Sequence, residues 1–290
     1  MSTGFLQSFA LFGPTYAVGV SVATSLAIVG VWVIGRNQIF LGAAVAQAST
    51  LGIATALAAG SLLGTEGWHG LESEVGTRSL AVFASVLTAL GATRLAEREG
   101  ESPEAVIGWI FLLATALPVL LVAHLPHALE EVHRLVFSSL LSVRAADPPL
   151  FTALLAASAL LAALLHRPLL LLVVDPDVAR ATGVPTRRLE LAFALWLGLA
   201  AGLSMRAAGM LYTFGALVLA PLVARCLCRE VRPMLLVAPA VAALASLGGF
   251  FAGHLADWPP AHATVALLAA LLPPAWAVRR LRARRFVHSP

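Results

Sequence analysis

His127, Glu130, Glu131 and His133 fall within the ten residues HLPHALEEVH (124–133). Imidazole nitrogens beside carboxylates form the donor set that holds zinc and similar divalent cations. On a helix His127 and Glu131 stand four positions apart and Glu130 and His133 three, so two pairs lie on shared faces. The same spacing suits a charged helix in a solvated loop, and both readings stay open. Cys226 and Cys228 form a CxC between Arg225 and Arg229. A zinc or redox role wants more ligands or a CxxC spacing, so these read as incidental thiols at a helix end. Neither HExxH nor GxSxG occurs, and all 19 basic residues are Arg. Without Lys, a Walker A loop has no side chain to reach nucleotide phosphates, and Schiff-base and Ser–Lys chemistry are excluded. Cation binding is the chemistry on offer, and no catalytic residue is assigned.

The elements that must position these donors follow from composition. Of 290 residues, 59% are hydrophobic and 12% charged, with mean hydropathy +0.89; a soluble chain carries about 25% charged residues. Apolar runs of about 17 to 25 residues predict an all-α polytopic membrane protein. Cutting the runs at charges and Gly/Pro clusters gives about nine transmembrane helices: 9–35, 39–63, 77–95, 104–124, 149–167, 189–205, 208–225, 234–254 and 262–279. No soluble domain separates from them, so residues 1–290 are expected to form a single membrane domain. The pair within 189–225 is short for two spans, and one of them is expected as a crossing or a re-entrant half-helix.

Arginine placement orients the set. With the amino terminus outside and the carboxyl terminus inside, fifteen Arg are cytoplasmic and four (Arg78, Arg134, Arg144, Arg206) lie outside. The outer face then carries seven acids, Asp257 among them, and six of the eight His, including His127, His133, His254 and His262. An acidic, His-bearing outer face attracts cations, so Asp257 and His262 join His127, Glu130, Glu131 and His133 as candidate external ligands. The start, MSTGFLQSFALFG, has no positive n-region, so the first span is expected to stay.

One charged segment interrupts the apolar pattern: VVDPDVARATGVPTRRLELA (173–192). Asp175 suits an N-cap and Pro176 the first helical position. Gly183 suits the left-handed residue after a helix, and Pro185 forbids continuation. A helix of about two turns, 176–182, is therefore expected on the cytoplasmic side, specified at both ends as a mere connector need not be.

DPDVARATGVPTRRL (175–189) resembles the cytoplasmic loop of permeases from ATP-binding-cassette importers of divalent metal ions, the zinc, manganese and iron(II) class. EEVHRLVFSSLLSV (130–143), GMLYTFGALVLAPLVARCL (209–227) and HLADWPPAHATVALLAA (254–270) resemble that family's external segment, its Gly…Pro…Ala-Arg helix and the turn opening its last span, in the right order. The resemblance covers nearly the whole chain. It implies that Asp175, Pro176, Val178, Ala179, Ala181, Gly183 and Arg187, in a coupling loop of about 175–188, dock against a separate ATPase subunit. That subunit binds ATP, which fits the missing Lys. It further implies an extracytoplasmic metal-binding protein as donor, a permease homodimer, and a multi-pass place in the bacterial cytoplasmic (inner) membrane. No cofactor is expected in this chain beyond the transported divalent metal, and no nucleic-acid partner.

The chain departs from that family at one point. Zinc and manganese members begin their second span Gly-Asp-Ala-x-Ser-His, with Asp and His on one helix face. Here LGAAVAQASTLG (41–52) keeps Gly42 but has Ala43 and Gln47 at those positions. Gln47, with Thr50 nearly one turn on, is the expected pathway residue; an interhelical hydrogen bond is the other role open to it. Zinc or manganese is the expected cargo, a chelated metal or other small solute the alternative. An ion-gradient-driven secondary transporter would favour ionisable residues inside spans and inverted repeats; Arg206 is the candidate charge there.

Overall fold

Backbone polar groups inside a bilayer must bond within their own segment, so apolar runs of this length become helices. The computed structural model describes residues 2–63, 73–123, 147–174 and 176–287, and every element among them is an α-helix. In chain order these are α1 (Ser2–Gly35), α2 (Ile39–Leu63), α3 (Glu74–Glu99), α4 (Pro103–Val122), α5 (Asp147–Val174), α6 (Pro176–Ala181), α7 (Thr186–Leu227), α8 (Val231–Ala256) and α9 (Pro260–Val287). Among the described residues, eight helices are long and apolar enough to cross a membrane. The nine expected spans are these eight with α7 divided. Gly209, at φ 76 and ψ 172, interrupts that helix at the start of the second of the two spans read from the sequence, 208–225. A straight helix of 42 residues would reach ~63 Å, twice a ~30 Å hydrocarbon core. Only glycine populates the Gly209 conformation readily.

Several helices outrun their apolar cores. α5 continues past the expected end at 167 to Val174, and α9 past 279 to Val287. A charge at a helix end is no obstacle to helical backbone, so cutting at Arg167 and Arg279 trimmed both.

The chain forms two compact units: Met1–Asn37, Ser139–Asp175 and Gly215–Pro290 make one, Gln38–Ser138 and Pro176–Phe214 the other. In the first, α1 packs against α5 and α8, and α8 against α9. Tyr16 stacks on Phe250 with ring centroids 4.9 Å apart. Gly30 meets the backbone at Leu217, Gly249 meets Thr264, and Arg282 donates to the Leu227 carbonyl at 2.6 Å.

In the second unit α2 packs on α3 and α4, and the early part of α7 lies on α3. Gly198 and Gly202 carry that last contact. A Cβ at either would come within 2.6 Å of Val86 Cα or 2.8 Å of Val82 Cα. Small residues four apart let membrane helices approach where lipid offers no hydrophobic drive to associate. Leu112 and Leu244, 67% and 70% exposed, turn outward as lipid-facing positions do.

Candidate functional site

The charged segment folds as its punctuation requires. α6 begins at Pro176 and ends at Ala181; Asp175 lies outside the described residues. Gly183 adopts φ 78, its N–H bonds the Arg180 carbonyl at 3.1 Å, and the Val184 N–H bonds the Ala179 carbonyl at 3.1 Å. This pair of bonds is a Schellman C-cap, which satisfies carbonyls a helix end otherwise leaves open. The Thr182 hydroxyl adds a bond to Val178 at 2.9 Å. Arg188 and Leu189 then donate to the Pro185 carbonyl, which starts α7 at once. Val178, Ala181, Gly183 and Arg187 are exposed, whereas Ala179 is fully buried. Val178 and Ala181, three apart, form an outward face; Ala179 anchors the helix instead of presenting itself.

The α2 candidates are buried: Gln47 is 6% exposed and Thr50 2%. Ser49 Oγ reaches the Gly202 carbonyl at 3.4 Å, setting this level of α2 against α7. Ser85 Oγ of α3 donates to the Val45 carbonyl at 3.1 Å, and Gly52 meets the backbone at Leu80. α3 therefore backs both α2 and α7. The Thr50 hydroxyl is buried with no hydrogen-bond partner, and so are the hydroxyls of Ser204 and Thr213 on α7. Sequence reasoning missed Ser204 and Thr213, because a Ser or Thr in an apolar helix commonly bonds its own preceding turn. Arg206 resolves differently: its Nη1 donates to Thr77 Oγ1 at 2.7 Å, tying α7 to α3.

Asp257 and His262 stand at the α8–α9 corner. Asp257 is an exposed C-cap at φ 53, with the N–H bonded to the Gly253 carbonyl. Asp is among the few residues that adopt this left-handed conformation with ease. His262 is half-buried, and its Nδ1 has no hydrogen-bond partner. Among the described residues no three His, Cys, Asp or Glu side chains gather to hold a metal. His127, Glu130, Glu131 and His133 lie outside those residues. Cys226 and Cys228 are free thiols; burial pushes the Cys228 thiol up, with Arg282 opposing in part.

Residues 8–278 match the ABC 3 transport family. The chain is 22% identical over 252 residues to the manganese transport system membrane protein MntC of Halalkalibacterium halodurans, covering 87% of this chain and 82% of that one. It is 23% identical over 249 residues to the manganese import system permease protein ScaB of Streptococcus parasanguinis, covering 86% and 84%. Among solved structures, PsaBC from Streptococcus pneumoniae in complex with Fab superposes with a TM-score of 0.79 at 19% identity, over 95% of each chain. The chain belongs to the ABC 3 transport family.

Proposed function

We propose that this member of the ABC 3 transport family is the permease subunit of an importer for a divalent metal, with manganese ahead of zinc. A separate ATPase subunit hydrolyses ATP, and an extracytoplasmic metal-binding protein delivers the cargo to an outer face that carries Asp257 and His262. Two permeases pair in the bacterial cytoplasmic membrane, amino termini outside. The observation that carries this reading is α6: a six-residue helix, capped at Gly183 and joined without slack to α7, that presents Val178 and Ala181 to solvent. A rigid apolar knob of this kind fits a groove on a partner, and the chain itself has no Lys for a nucleotide site. The manganese relatives support the metal.

Mechanically, α6 and the early part of α7 share one compact unit with Gln47 and Thr50 on α2. Force applied at Val178 and Ala181 passes through the capped turn and Pro185 into α7. Gly209, the one interruption in that helix, is the natural point for it to bend. Gln47 and Thr50 would line the path, while Pro176 opens the docking helix and Asp175 and Arg187 flank it in sequence. An ion-gradient mechanism wants carboxylates within the spans. Among the described residues Glu74, Glu99, Glu104, Asp147 and Glu190 all lie within the first or last two turns of their helices. The test is uptake of radioactive manganese by vesicles carrying this chain with the ATPase and the binding protein. Uptake must require ATP and all three components; uptake driven by an ion gradient without ATP refutes the assignment.

A further inference from the structure

Arginine gathers at one end of the unit that contains Gly215–Pro290. The membrane-length stretch of α7 ends at Leu227, that of α8 begins at Val231 and that of α9 ends at Arg282. Leu272 and Ala275 of α9 pack with Val223 and Cys226 of α7, and Arg282 donates to the Leu227 carbonyl at 2.6 Å. These contacts bring Arg225, Arg229, Arg232, Arg279, Arg280 and Arg282 to one end of the helices, and all six are exposed. Glu230 and Asp257 are the only acids in residues 215–290, and Asp257 caps the far end of α8. Like charges so placed repel one another, a cost that a bound anion removes.

Apolar surface adjoins this charge. Trp276 is 44% exposed and Leu281 60%. With Pro273, Ala277 and Arg280 they line an open groove of about 450 Å³ along α9. Trp276, Arg279 and Arg280 fall at i, i+3 and i+4, so the indole and two guanidinium groups share one helix face. Indole rings settle where a membrane meets water, and a long basic side chain one turn nearer the helix end reaches the headgroups. Arg94 and Arg98 of α3 line a comparable groove beside Trp109, but Glu97, Glu99, Glu101 and Glu104 outnumber them. That groove therefore lacks the charge to hold an anion.

We propose that the arginine end of α7, α8 and α9 binds the phosphate of an anionic phospholipid, with an acyl chain lying along the α9 groove. A guanidinium group offers paired N–H donors that match phosphate oxygens. Each basic residue near an anionic membrane surface strengthens attraction about fivefold. The lipid clasps three helix ends that a single protein hydrogen bond otherwise joins. The inference goes beyond transport and is independent of the cargo.

The experiment places the full chain in vesicles and compares quenching of tryptophan fluorescence by brominated phosphatidylglycerol and brominated phosphatidylcholine. Both leaflets carry the lipid, so the result does not depend on orientation. The wild type should prefer phosphatidylglycerol at least about fivefold, and less at high salt. Arg232→Gln, Arg279→Gln and Arg280→Gln together should bring the preference close to unity. Arg282 stays in place there, so the bond to Leu227 and the melting temperature in lipid-free detergent should persist. Trp276→Phe should remove most of the difference between the two lipids, which carries the test even where the triple variant does not fold. Arg94→Gln with Arg98→Gln should keep the wild-type preference. Equal quenching by both lipids in the wild type overturns the proposal, as does a preference that survives in the triple variant. Loss of preference in the Arg94 and Arg98 pair would equally overturn it, by reducing the effect to total charge. A triple variant that keeps the lipid preference but no longer assembles with the ATPase would assign these arginines to that subunit instead.

Discussion

Ala43 and Gln47 stand where the family's motif has a carboxylate and an imidazole, respectively, and the exchange would alter what the span can do to an ion. A dehydrated cation needs donors to replace its water, and Ala43 supplies none. Gln47, 6% exposed, supplies a carbonyl oxygen on a helix with Thr50 nearby. Gln47→Ala should therefore lower metal uptake only about threefold in reconstituted vesicles, the worth of one neutral ligand among several. Ala43→Asp with Gln47→His should instead hold metal longer, seen as slower efflux after a single turnover. Complete loss of uptake in Gln47→Ala, with normal assembly, would make this amide an essential ligand. Its place in a motif makes Gln47 a candidate from the sequence alone. Ser204 is not legible in that way, since a lone serine in LAAGLSMRAAG (199–209) looks like any other until burial and an empty hydroxyl single it out.

Helices were read from the sequence with bounds set by hydrophobicity, and they fall short wherever a charged end stays helical. α2 matches its apolar run, 39–63, residue for residue, while α5 and α9 extend seven and eight residues beyond theirs. α6 was legible down to its cap because Pro176, Gly183 and Pro185 each constrain the backbone in one way only. The division of α7 was legible as two short runs, but the sequence did not show that a single residue makes the break. Gly209→Ala places a Cβ in a conformation side chains rarely adopt and should cost about 1–3 kcal/mol. A lowered melting temperature of the purified protein, with reduced uptake, is the expected result. Full stability would mean that the helix rearranges freely at this point. Gly198 and Gly202 make a separate demand, since neither α3 nor α7 can yield to a Cβ without parting.

At the scale of the molecule, two compact units share the helices, and the chain passes from one to the other inside α7, between Phe214 and Gly215. No soluble domain separates from the spans in the sequence, and both units are built from membrane-length helices. Contacts between distant segments set such units, and no run of residues announces them. The proposed orientation rests on the arginine bias, which predicts 279–285 on the cytoplasmic side. With Cys226 and Cys228 replaced by Ala, Ser289→Cys should resist an impermeant thiol reagent added to sealed cells. Labelling from outside would reverse the topology and move α6 to the wrong side for an ATPase. The central claim, that ATP hydrolysis by a partner drives this chain through α6, is tested most directly by Val178→Asp with Ala181→Asp. Both side chains are solvent-exposed in the permease itself, so insertion and folding should persist. ATP-driven manganese uptake by the reconstituted complex should fall to background, because carboxylates replace the apolar face offered to the ATPase groove. Uptake at the wild-type rate in that double variant would contradict the account.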